Sequence, residues 1–342
     1  MLHFDSDYME GAHPEILRRL AEGNLEKQPG YGTDAICHAA RQRIRQACNC
    51  TDAAVHFLVG GTQVNTVVID ALLRPCQGVV AVESGHVNVH EAGAIERTGH
   101  KVLALPQREG KLQAKTLRDY LAAFWRDETH EHMVEPGMVY LSYPTEFGTL
   151  YSDRELEEIF AVCREYRIPL YLDGARLGYG LAAENGLDLP GIARRCSVFT
   201  IGGTKVGALF GEAMVAADPQ VLPGNFFSLI KQHGGLLAKG WLLGLQFDVL
   251  MEDGRYLACG AHGVRLGQKL KRGLLEQGYE LWADSPTNQI LVILDDAALE
   301  KLAGKVSYSV WQPLPDGRTV VRFATSWATP EAEVDTLLEL LK

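Results

Sequence analysis

The sequence predicts an α/β fold: a large domain built on a mainly parallel seven-stranded sheet, followed by a smaller α+β domain. Three observations predict it. Short apolar runs alternate with segments of helical period along the first two thirds of the chain. The runs are continuously apolar rather than alternating, which is the mark of strands covered on both faces. After about residue 220 this rhythm gives way to mixed helix-like and strand-like pieces.

In order, Pro14 to Ala21 predicts a short amphipathic helix, QPGYGTD (28–34) is turn-rich, and Ala35 to Ala47 carries apolar residues at helical spacing. The strand-like runs are VHFLV (55–59), GVVAVES (78–84), KVLALP (101–106), MVYLSYP (138–144), PLYLDG (169–174), SVFTIGG (197–203) and GEAMVAA (211–217). Between two of them lies DRELEEIFAVCREYR (153–167), a helical segment with Ser152 as its N-cap. LLAKGWLLGLQFDVLM (236–251) predicts a long helix leading out of the sheet domain. QILVIL, VSYSVW and RTVVRFATSW predict strands, and PEAEVDTLLELLK a closing helix. The expected division is a large domain over 14–235, a small domain over 236–342, and a segment 1–13 that contributes to the active site.

Composition narrows the function. The formal net charge of −10, with no compensating Lys/Arg stripe, excludes nucleic acid as the main partner. No run reaches the roughly 20 apolar residues that span a bilayer, and the acidic start MLHFDSDYMEG has no secretory character. Seven scattered cysteines fit reduced thiols in a cytoplasmic protein better than a disulfide framework or a zinc site, and no metal is expected.

A sheet of this kind gathers its ligand at the carboxyl ends of its strands. Those positions hold Gly60, Gly61 and Thr62, then His86, then Thr145 and Glu146, then Asp173 and Arg176, then Thr204 and Lys205. Backbone N–H groups at Gly60 and Gly61 with the Thr62 hydroxyl make a phosphate cradle; a plain strand-to-helix turn explains the same residues. Lys205 lies between two apolar runs, where desolvation disfavours an ammonium and suits a neutral amine or a Schiff base. Asp173 either pairs with Arg176 or holds a pyridinium nitrogen protonated. His86 suits stacking over a flat ring and moving a proton. Arg322, inside an apolar strand of the second domain, needs an anion, either a structural acid or a substrate carboxylate.

Taken together, GGT, the strand-end histidine, DGAR, GGTK and the arginine of RFATSW resemble the threonine aldolase and β-eliminating lyase family, fold type I enzymes with an aspartate aminotransferase-like large domain. The resemblance covers nearly the whole chain, and DSDY matches the family's N-terminal serine-aspartate motif. It implies pyridoxal 5'-phosphate as cofactor, in a Schiff base on Lys205, with Asp173 at the pyridine nitrogen. It puts Arg176 beside the ring, Gly61 and Thr62 on the phosphate, and His86 stacked on the ring. Ser6 and Arg322 would take the carboxylate of a small amino-acid substrate, and Tyr31 would reach the site from a partner subunit of a homotetramer. The implied reaction is aldol cleavage of L-threonine or L-allo-threonine to glycine and an aldehyde, with β-elimination or racemisation as the alternative. The pattern departs in two places. Glu146 stands where many relatives carry a histidine, so the base is His86, Glu146 or a water they hold. KQHGGLLAKG (231–240) replaces an Arg-Gln segment, leaving Lys231 and His233 as the basic residues for the phosphate.

Overall fold

A computed structural model describes residues 1–183 and 187–342. The apolar runs form strands β1 (Ala54–Leu58), β2 (Gln77–Val82), β3 (Lys101–Leu105), β4 (Glu135–Ser142), β5 (Leu170–Asp173), β6 (Val198–Gly202) and β7 (Glu212–Ala216). They make one seven-stranded sheet in the order β1-β7-β6-β5-β4-β2-β3. Only β7 runs against its neighbours, pairing antiparallel with β1 and β6.

Alternate residues of these strands enter two separate apolar layers. Val139, Leu141, Leu170, Leu172, Phe199 and Ile201 join the layer beneath helices Ala35–Ala47, Asp153–Tyr166 and Trp241–Met251. Met138, Tyr140, Tyr171 and Val198 join the opposite layer with Val64, Val67, Val68 and Ile69 of helix Gly61–Leu72. Both faces are therefore dry, which is why the sequence runs read as unbroken. Helix ends follow their signals: Asp34 accepts from the Cys37 N–H at 2.8 Å, and Ser152 with Glu155 forms a capping box.

The second sheet is antiparallel, in the order β10-β11-β9-β8, from β8 (Glu280–Leu281), β9 (Gln289–Leu294), β10 (Ser309–Pro313) and β11 (Thr319–Ala324). Its core takes in Phe4, and Leu2–His3 pairs in parallel with Val306–Ser307, so the first residues are bound to the small-sheet region. The helix expected over 236–251 begins at Trp241, and at the preceding Gly240 the backbone of Gly32 packs so closely that a Cβ would lie 2.5 Å from its nitrogen. Leu243, Leu245, Phe247, Val249 and Leu250 of this helix belong to the large-sheet layer. Helix Arg255–Glu276 joins the two cores, with Tyr256 and Cys259 in one and Leu266, Leu270 and Leu274 in the other.

Candidate active site

The end of β5 fixes the first group. Side chains alternate along a strand, so Tyr171 and Asp173 share a face, and the register with β4 sets Tyr140 beside Tyr171 and Ser142 beside Asp173. Asp173 Oδ2 accepts from the Tyr140 hydroxyl at 2.7 Å and from Asn65 Nδ2 at 2.9 Å, while Oδ1 accepts from the Ala175 N–H at 2.9 Å. Burial, reinforced by the adjacent Asp173, pushes the Tyr140 phenol well above its ordinary range, so it stays a neutral donor. Asp173 is thereby held in one orientation from three sides. The alternative partner, Arg176, does not pair with it. Arg176 instead grips Asp7 through Nε at 2.7 Å and Nη2 at 3.0 Å, and Asn288 donates to the same carboxylate at 3.0 Å.

Asn65 stands on the helix that begins at Gly61. Its Oδ1 accepts from the Tyr171 hydroxyl at 2.6 Å, and its amide also donates to Glu91 Oε1 at 2.6 Å. Glu91 Oε1 lies 2.7 Å from His86 Nδ1. A buried polar chain thus runs from His86 through Glu91 and Asn65 to Asp173. On its other side, the His86 backbone N–H donates to Glu146 Oε1 at 2.8 Å, as does the Ser142 hydroxyl at 2.5 Å. Burial raises the Glu146 carboxyl above its ordinary value, and its Oε2 is buried with no partner among the described residues.

Lys205 follows β6 through a glycine pair whose turn is closed by Gly203 and Thr204 N–H groups donating to the Gly211 carbonyl, at 2.9 and 3.2 Å. Its amine forms no ion pair among the described residues, and the Tyr8 ring centroid lies 5.8 Å from Nζ. Burial, together with the Arg176 charge, lowers the ammonium below its usual range. Burial pushes the neighbouring Glu212 carboxyl, at the start of β7, well up. The two opposite shifts have one cause: each group loses water in favour of its neutral form.

These groups line one cavity of about 300 Å3, which takes in Gly60, Gly61, Thr62, Asn65, His86, Glu146, Asp173, Arg176, Thr204, Lys205 and Glu212. A second space of about 730 Å3 adjoins it, sharing Tyr8, His86, Glu146, Arg176 and Lys205, and bounded by Phe147, Trp282, Trp311 and Arg322. The residues fit a phosphorylated pyridine carrying an aldehyde. Helix Gly61–Leu72 starts at Gly60 with no side-chain cap, and a Cβ on Gly60 or Gly61 would meet nothing within 4 Å, so there is open space beside the uncapped helix start.

Arg322, on β11, donates to Gln289 Oε1 at 3.1 Å, to Ser309 Oγ at 3.2 Å and to the Asp5 carbonyl at 3.3 Å. Every partner is neutral, and its Nε has none among the described residues. Burial pushes this guanidinium down to about 10.

Four expected residues, Ser6, Tyr31, Lys231 and His233, lie outside these two cavities. Ser6 lines neither cavity, and its hydroxyl is buried without a partner among the described residues. Tyr31 borders a separate space along edge strand β1, with the Lys231 amine 4.5 Å over its ring. His233 is paired with Asp70 at 2.7 Å. Sequence reasoning missed Asp7, Asn65, Glu91, Tyr140 and Glu212. Asp7 lay within DSDY and Asn65 within GGTQVN; for the others, only the strand and loop register brings them in.

A family model described as Beta-eliminating lyase matches residues 3–296. A low specificity L-threonine aldolase of Pseudomonas sp. is 30% identical, the match covering 98% of this chain and 95% of that protein. Its counterpart from Pseudomonas aeruginosa is 29% identical over 99% and 96%. Among solved structures, a threonine aldolase of Leishmania major matches with a TM-score of 0.96 and 42% identity, over 100% of this chain and 98% of that one. The histidinol-phosphate aminotransferase of Clostridium acetobutylicum matches with a TM-score of 0.75 at 13% identity over 100% and 98%, a likeness of fold alone.

Proposed function

The chain belongs to the threonine aldolase and β-eliminating lyase family of fold type I enzymes, and from that premise we propose the reaction and the roles of its residues. The protein is a pyridoxal phosphate-dependent carbon–carbon lyase that cleaves a β-hydroxy-α-amino acid, L-threonine or L-allo-threonine, to glycine and an aldehyde. The observation that carries this reading is a single cavity lined by an amine without an ion pair among the described residues, a carboxylate oriented from three sides, and an uncapped helix start.

Lys205 would carry the cofactor through its amine, Asp173 would face the ring nitrogen, and the N–H groups following Gly60 would hold the phosphate with the Thr62 and Thr204 hydroxyls. When bound, pyridoxal phosphate supplies an electron sink for the pair released as the Cα–Cβ bond breaks. The chain's own residues set which bond that is. Arg322 fixes the substrate carboxylate, since among the described residues its Nε is unpartnered and its acceptors are all neutral. Holding the carboxylate on the small-sheet side orients Cα, and the space bounded by Phe147, Trp282 and Trp311 receives the β-substituent. His86 takes the β-hydroxyl proton at Nε2. Glu146 serves as its buried neighbour: Oε1 is already held by two donors, and burial favours its protonated form.

The protein works as a homotetramer in which Tyr31 reaches a partner's site, and its seven unpaired cysteines suit the reducing cytoplasm. No described helix is long and apolar enough to cross a membrane. Incubation with L-threonine and with L-allo-threonine tests the reaction. Glycine with one equivalent of acetaldehyde is expected, and ammonia with a keto acid would replace aldol cleavage by elimination.

A further inference from the structure

The polar chain behind His86 contains an acid, Glu91, that lines neither cavity. Glu91 is 4% exposed, lies five residues after His86, and receives both His86 and Asn65 on a single oxygen. A carboxylate only accepts hydrogen bonds, so a ring nitrogen 2.7 Å from it carries a hydrogen. In the neutral ring that puts the hydrogen on Nδ1 and leaves Nε2 bare. Nε2 has no protein partner among the described residues, and the ring lines both cavities. Asn65 is itself locked, because its carbonyl oxygen is taken by Tyr171, which obliges its amide to face Glu91 and Asp173. Glu91 is thus held from behind by a donor that has no freedom to turn away.

We propose that Glu91 is a positioning residue that fixes the Nδ1–H tautomer of His86 and stabilises the positive charge its ring acquires, so that Nε2 acts as the proton acceptor for the substrate's β-hydroxyl group. The proposal rests on the aldolase reading above. The step balances simply. The hydroxyl proton passes to His86 Nε2 as the alkoxide becomes the aldehyde carbonyl, the ring becomes a cation, and the Cα–Cβ electrons leave toward Cα. Glu91 neither gains nor loses a proton; its charge offsets the cation. The arrangement is the logic of a base oriented by a buried acid, built here from one loop.

Other charges face the same ring. Glu146 binds the His86 backbone, the His90 ring centroid lies 5.6 Å away, and Arg176, Lys205 and, on the outer side, Arg322 share its cavities. None contacts Nδ1, so removing Glu91 leaves that nitrogen without an acceptor; it also frees one donor of Asn65, which stays held by Tyr171 and Asp173.

The test has a structural arm and a kinetic arm on the full-length holoenzyme. Ring nitrogen–proton correlation spectra, recorded with nitrogen-labelled histidine and assigned through His86→Gln, read the tautomer directly. The wild type is expected to hold His86 as Nδ1–H, Glu91→Ala to release it to Nε2–H, and Glu91→Asp to retain Nδ1–H. In parallel, Glu91→Ala should lose roughly 100-fold in kcat with little change in KM, the size of a general-base contribution, and Glu91→Asp should recover part of it. Cofactor absorbance and circular dichroism check that each variant is folded and loaded, and Glu91→Asp stands in where the alanine variant does not fold. An Nε2–H tautomer in the wild type, or an unchanged tautomer in a folded Glu91→Ala protein, overturns the proposal. Unimpaired turnover of His86→Gln removes the proton acceptor and overturns it too. A wild-type enzyme that releases no glycine fails the aldolase reading instead, and the tautomer measurement distinguishes the two outcomes.

Discussion

Arg322 is an arginine whose hydrogen-bond acceptors among the described residues are all neutral, and a buried guanidinium without a directly paired anion is costly. A substrate carboxylate removes that cost, so Arg322→Leu is expected to raise KM for L-threonine by roughly 30-fold or more, since losing one partner of a buried charge pair costs about 2–5 kcal/mol. The cofactor absorbance should be unchanged, because Arg322 lines only the outer space. Asp173 belongs to the inner cavity and predicts the converse: Asp173→Ala keeps the cofactor but loses most turnover, as the ring's electron sink weakens. Steady-state kinetics with a spectrum of each variant separates the two effects. Near-normal turnover in Asp173→Ala would remove that residue from its role.

At the scale of elements, the site depends on loops being carried to one place by packed helices. Helix Arg255–Glu276 crosses helix Leu177–Ala182 at Gly260 and Gly178, where a Cβ on Gly260 would fall 2.1 Å from the Gly178 carbonyl oxygen. Gly260→Ala must therefore push the helices apart, at about 1–3 kcal/mol for an overpacked contact. The neighbouring Tyr179 hydroxyl donates to the Lys205 carbonyl at 2.5 Å, so the shift should also weaken cofactor retention. Thermal unfolding and cofactor release on dilution measure both. The strands themselves were legible because burial on two faces removes polar residues from them. The line-up at their ends was legible for the same reason, since an acid or lysine terminating such a run has little else to do. What the sequence did not reveal is register. Tyr140 reaches Asp173 only because β4 and β5 pair Ser142 with Asp173, and Glu212 enters because β7 runs against its neighbours.

Across the whole molecule, the N-terminal segment binds the two sheets together through Asp7. Arg176 comes from the large sheet and Asn288 from the start of the small one, 281 residues away in sequence. No local signal could pair Arg176 with an acid 169 residues earlier, and its sequence neighbour Asp173 was the natural alternative. Burial alone raises the Asp7 carboxyl, but the Arg176 and Lys205 charges and hydrogen bonds from Arg176 and Asn288 bring it from 3.8 down to about 2. Its folded value is depressed, so its contribution is present above the unfolded value and lost as pH falls through the folded one. That contribution is about 2 kcal/mol. Acid unfolding between roughly pH 4 and 2 should accordingly be less steep in Asp7→Asn, which is also less stable at neutral pH because Arg176 is left without its charge partner. Equal acid slopes for the two proteins would dismiss the assignment.

The proposal that Lys205 and Asp173 bracket one pyridine ring is tested most directly by borohydride reduction of the purified holoenzyme, followed by peptide mass spectrometry. A single phosphopyridoxyl group on Lys205, with loss of the cofactor absorbance, is the predicted result. Attachment at Lys231, Lys239 or any other lysine, or no attachment at all, would contradict it.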